Sequence, residues 1–154
     1  MGLDQYLEVR KFISTNSLHA AIHDDLVDKV GLHKRDIPHS TYAYINLEVM
    51  YWRKANQIHN WFVQNVQNGE DDCQAYQVST EKLQELRDLC EEVLRREDTD
   101  FSQDKLPVAA GFFFGSTDYD EWYYGALEET VEALDKLLMN PSFKDLNFYY
   151  SSSW

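Results

Sequence analysis

Six residues able to recognise a ligand fall between Trp52 and Trp61: Trp52, Arg53, Lys54, Asn56, His59 and Trp61. A guanidinium beside an ammonium suits a phosphate. An indole offers a face for stacking, and an amide or imidazole selects polar edges. His59 is also the best single residue for acid–base work, since imidazole exchanges protons near neutral pH. The same residue types serve structure equally well, with bases paired to acids and indoles completing a core.

Other clusters point less clearly to chemistry. Gly111-Phe112-Phe113-Phe114-Gly115 precedes Ser116-Thr117 and a helix, yet it matches neither phosphate-loop pattern. Asp118, Asp120 and Glu121 occupy the helix start that an anion would need. The three phenylalanines are therefore expected in a buried strand or packed loop, and the three acids in capping rather than a cation site. His19 and His23 stand four apart without a third ligand, so surface histidines are expected and no metal. No nucleophile elbow, Cys/His pair or cofactor motif is present, so no catalytic residue and no cofactor are expected.

Hydrophobic spacing supplies the elements that position these groups. Leu3–Ile13 alternates as a strand, and Leu18–Val30 reads as a helix capped by Asn16 or Ser17. Ala43–Met50 alternates again, with Ile45, Leu47 and Val49 on one side. It leads almost directly into a helix whose apolar stripe is Tyr51, Ala55, Ile58, Phe62 and Val66, closing near Asn68-Gly69. Gln74–Val78 reads as a short strand. Ser79 caps a helix with the stripe Leu83, Leu86, Cys90 and Val93, and Glu97–Lys105 reads as an exposed loop. Asp118 with Glu121 fits a capping box for a last helix lined by Leu127, Val131, Leu134 and Leu138. Asn147–Tyr150 reads as a final strand. The expected fold is α+β: a small sheet packed by about four helices in one domain over 1–154.

Composition limits the function classes. At 154 residues, with 44% hydrophobic and 27% charged side chains, the chain can build one ordinary core. Two cysteines make no disulfide framework and read as reduced thiols of a cytoplasmic protein. The opening residues match neither a signal peptide nor a myristoylation site, and no apolar run is long enough for a membrane helix. The net charge of −13 arises entirely after residue 69. Such a field disfavours direct nucleic-acid or anionic-membrane binding and suits a basic partner.

Five segments, MGLDQYL, YWRKANQIHNWFVQN, GEDDC, LPVAAGFFFGSTDYDEWYY and FYYSSSW, cover about half the chain. In combination they resemble a family of small proteins encoded by bacteriophages and prophages, with residues 14–40 read as a variable insertion. The resemblance implies an origin and a setting, the infected bacterial cytoplasm, rather than a mechanism. Small accessory phage proteins commonly bind host defence machinery or its signalling nucleotides. The leading expectation is thus a non-enzymatic accessory, counter-defence protein that binds a small phosphorylated or nucleotide-type ligand through Trp52, Arg53, Lys54, Asn56, His59 and Trp61. Two alternatives are an acidic inhibitor or nucleic-acid mimic acting on a host protein, and a nucleotide-directed enzyme using His59. Partners are accordingly a small anionic ligand or a host protein, with homo-oligomerisation left open.

Overall fold

The computed structural model describes residues 2–16 and 18–154. The fold is α+β. Its elements run β1 (Asp4–Ser14), α1 (Ala20–Lys29), β2 (Tyr42–Arg53), α2 (Asn56–Asn65), β3 (Tyr76–Val78), α3 (Thr80–Arg96), α4 (Thr99–Lys105), α5 (Glu121–Met139) and β4 (Asn147–Ser153). The strands form one antiparallel sheet in the order β2-β1-β4-β3, and β3 meets β4 with Tyr76 opposite Tyr150. No helix of the described residues is long and apolar enough to cross a membrane.

Contacts gather into two compact units, Met1–Val9 with Glu48–Trp154, and Arg10–Leu47. The first holds the main core. Leu7 and Val9 of β1, Phe148 and Tyr150 of β4, Ile58 and Phe62 of α2, and the apolar stripes of α3 and α5 meet there. Phe62 and Tyr150 stack with ring centroids 3.8 Å apart and planes 10° apart. Cys90 is wholly buried in this core, and burial pushes its thiol well above the usual range. In the second unit, α1 buries His23 and Val27, and His23 Nε2 lies 3.1 Å from Ser40 Oγ. His23 is therefore an interior residue rather than a surface one. Ser17, one of two expected caps for α1, lies outside the described residues.

Several elements differ from the sequence reading. β2 continues to Arg53, so Tyr51 and Trp52 belong to a strand and the helix begins only at Asn56. Along β1 the alternation is unbroken through Val9. Along β2 the exposure is irregular, with Tyr42, Tyr44, Asn46, Leu47, Glu48, Tyr51 and Arg53 all exposed. Trp52 turns into the core, where it is 2% exposed and its indole N–H donates to Thr130 Oγ1 over 2.8 Å.

Glu97–Lys105 is not a loop throughout. Asp98 caps α4 by accepting from the amides of Asp100 and Phe101, a role its side chain fills well. The cap of α5 is Asp120 rather than Asp118, because Asp120 Oδ1 takes the amides of Trp122 and Tyr123. The Phe112–Phe114 run is a loop in which only Phe114 is buried; Phe112 and Phe113 are exposed.

Candidate functional site

The end of β2 turns into α2 through Lys54, whose φ of 59° lies in the left-handed region. A residue with a Cβ pays roughly 1–2 kcal/mol for that conformation. Two hydrogen bonds hold the turn: Lys54 N donates to Leu3 O over 2.8 Å, and Asn56 N donates back to Lys54 O over 2.9 Å. Gly115, itself at φ 98°, lies against the Lys54 stem so closely that a Cβ there would come within 3.0 Å of Lys54 Cβ. The lysine is thus fixed at its root while its side chain stays exposed.

Lys54 and Arg53 line a cavity of about 890 Å³ together with Asp118, Glu121, Trp122 and Glu129 of α5 and the loop before it. Trp122 is 77% exposed, so its indole face is open to a ligand. Arg53 has a distant partner, Asp4, at 3.8 Å. The Tyr51 hydroxyl also donates to Asp4, and that bond raises its pKa above the ordinary phenol value. The cavity lining therefore combines two cations, several carboxylates and an exposed aromatic side chain.

Of the six expected site residues, only Arg53 and Lys54 line this cavity. Trp52 and Trp61 are core residues, 2% and 7% exposed. Asn56 is buried and satisfied. Its Nδ2 donates to Phe114 O (3.2 Å) and Ser116 O (2.8 Å), and its Oδ1 accepts from Ala109 N (3.0 Å), tying the 106–119 loop to α2. His59 is 1% exposed between Tyr150 and Asp71, so neither polar selection nor acid–base work in the cavity falls to it. Trp52 differs from expectation because β2 runs on to Arg53. Asn56, His59 and Trp61 differ because α2 is buried on nearly every side, along with Gln57, Ile58, Phe62 and Val63.

Trp122, Tyr51 and the acids of the α5 start are the lining residues that sequence reasoning did not place at a site. Their signal was present in an exposed-looking Trp beside helix-capping acids, but only the fold brings residues 51–54 and 118–129 together. Among the described residues no three His, Cys, Asp or Glu side chains gather in an arrangement fit for a metal ion. No protein-family model, curated protein or solved structure matches this chain.

Proposed function

We propose that this chain is a phage accessory protein that binds a small phosphorylated ligand of the nucleotide type, without turnover, in the cavity walled by Arg53 and Lys54. One observation carries the reading: Lys54 is held in a costly left-handed turn, packed on Gly115, and lines the cavity. Strain of this kind concentrates at ligand clamps. Arg53 and Lys54 meet the phosphate, Trp122 stacks on the base, and Asp118, Glu121 or Glu129 accept from its N–H groups. Carboxylates pair in this way with exocyclic base amines.

The magnitudes suffice. Stacking contributes roughly 1–3 kcal/mol, and each charge-assisted contact roughly 1.5–3. After ordering costs, micromolar affinity is within reach. The carboxylates on the lining also set a limit, since they repel a long polyanion and favour a ligand with few phosphates. Thermal shift with mono-, di- and cyclic nucleotides, and with inorganic phosphate alone, tests the reading. Stabilisation by a nucleotide that is lost in Arg53→Ala/Lys54→Ala supports it. No stabilisation by any of them, or equal stabilisation of the variant, overturns it.

A second surface favours the alternative of an acidic protein-binding inhibitor. A groove of about 530 Å³ has Leu137, Phe143 and Phe148 on its lining, beside Glu81, Glu85 and Asp88 of α3. That combination fits a basic, apolar segment of a host protein. Reversing the three acids should abolish salt-sensitive capture of such a partner, and capture that survives the reversal refutes this reading.

A further inference from the structure

The unit Arg10–Leu47 leaves its apolar side chains uncovered. More than half of the exposed large hydrophobics among the described residues belong to this quarter of the chain, including Phe12, Leu18, Val30, Tyr42, Tyr44 and Leu47. Among the described residues of this unit, only Ile13, His23 and Val27 are buried. So small a unit with so little core ordinarily needs a staple or a partner, and concentrated exposed apolar surface marks an interface.

Three of these rings already form a platform. Phe12 of β1 lies 5.8 and 5.5 Å from Tyr42 and Tyr44 of β2, centroid to centroid, and the two tyrosines are 5.6 Å apart. The Arg10 guanidinium sits 5.8 Å from the Tyr44 ring. Tyrosine and arginine grouped in this way are the usual anchors of protein interfaces.

β2 is also an edge of the sheet. It is twelve residues long and has neither proline nor glycine; between Tyr42 and Leu47 it carries no charged side chain. Proteins ordinarily blunt such an edge, which otherwise offers its free amides and carbonyls to another strand.

Charge identifies the occupant. Arg10, Lys11, Lys29, Lys34 and Arg35 against Asp24, Asp25, Asp28 and Asp36 give this unit +1, whereas the rest of the chain carries −14. Two copies of so acidic a protein repel one another least where the net charge is near zero, as it is here. An antiparallel strand also meets its own copy about a two-fold axis, with the same groups on both sides. We infer that the β2 edge over Tyr42–Leu47, with the Phe12–Tyr42–Tyr44 platform, is the interface on which a second copy of this chain docks.

Sedimentation of the full chain at submillimolar concentration tests the inference. The expected mass is twice 18.2 kDa, and Tyr42→Lys/Tyr44→Lys should sediment at 18.2 kDa with an unchanged far-ultraviolet circular dichroism spectrum. Should that variant not fold, hydrogen exchange of the unmodified protein decides. Amides of residues 42–47 should lose protection on dilution, while those of β3 and β4 keep theirs. A monomer at all concentrations, a dimer that persists in the folded variant, or protection of 42–47 that ignores dilution overturns the inference. So does a monomer that captures a host protein through this face.

Discussion

The Nδ1 atom of His59 lies 2.8 Å from the hydroxyl of Tyr150. Gln5 Nε2 donates to Ala55 O over 3.0 Å, which turns Gln5 Oε1 toward Tyr150, whose hydroxyl donates to it over 3.0 Å. His59 Nε2 lies 2.9 Å from Asp71 Oδ2, and the other oxygen of Asp71 accepts from Trp154 Nε1 over 3.1 Å. Both ring nitrogens of His59 are thus within hydrogen-bond distance of a buried or half-buried partner.

This network joins β1, α2, β4 and the 69–75 loop, and its removal should show as lost stability rather than lost binding. Tyr150→Phe leaves Gln5 Oε1 and His59 Nδ1 without a partner, which costs about 1–3 kcal/mol. The urea midpoint should fall accordingly while any nucleotide-induced shift persists. An unchanged midpoint contradicts this role for the network.

Lys54→Gly separates the binding role of the side chain from the strain beneath it. Glycine relieves a left-handed penalty of roughly 1–2 kcal/mol, and its greater freedom in the unfolded chain offsets about 0.5–1 of that gain. Stability should therefore stay level or rise slightly, while affinity for a phosphorylated ligand falls at least tenfold. Titration calorimetry on both proteins reads the two effects independently. Lys54→Gly binding as tightly as the parent protein would remove Lys54 from the site.

Trp122 is the most exposed of the four tryptophans, ahead of Trp154 at 53%. Trp122→Ala should leave the melting temperature nearly unchanged and weaken ligand binding by about 1–3 kcal/mol if the ring stacks on a base. Ligand addition should quench fluorescence in the parent and not in the variant. Quenching that survives the substitution places the ligand elsewhere.

High pH should unfold the protein through its buried phenols. Tyr123, whose hydroxyl donates to Leu106 O over 2.9 Å, is pushed up by burial and next by the neighbouring Tyr119. Tyr150 is pushed up by burial and then by Asp71. In the unfolded chain both ionise near the ordinary value of 10.0, whereas in the fold both stay neutral beyond it. Their contribution is therefore complete below that value and is lost as pH rises above it. Urea midpoints followed from about pH 8 to about pH 11 should fall steeply at the upper end. A flat profile would mean that the phenols are not shielded.

The sequence disclosed the parts of the fold that rest on simple periodicity. Leu83, Leu86, Cys90 and Val93 lie on one face of α3 with Ser79 as its cap, and that helix stands as read from the spacing. The site was half legible. Arg53 and Lys54 are chemically conspicuous in an acidic chain, and they do reach the cavity. Trp52, Asn56, His59 and Trp61 looked equally suited, but a helix with polar residues on its wheel gives no local sign that it is buried on nearly every side. The satisfaction of Asn56 depends on carbonyls some sixty positions away, which no local pattern reports. Trp122 was hidden for the opposite reason: its role depends on a wall built from residues far earlier in the chain.

Gly115 acts as a thumb on the root of Lys54. Any side chain there would crowd the lysine stem at its Cβ and carbonyl. A substitution sixty-one positions down the chain would thus tilt the cation without touching its charge.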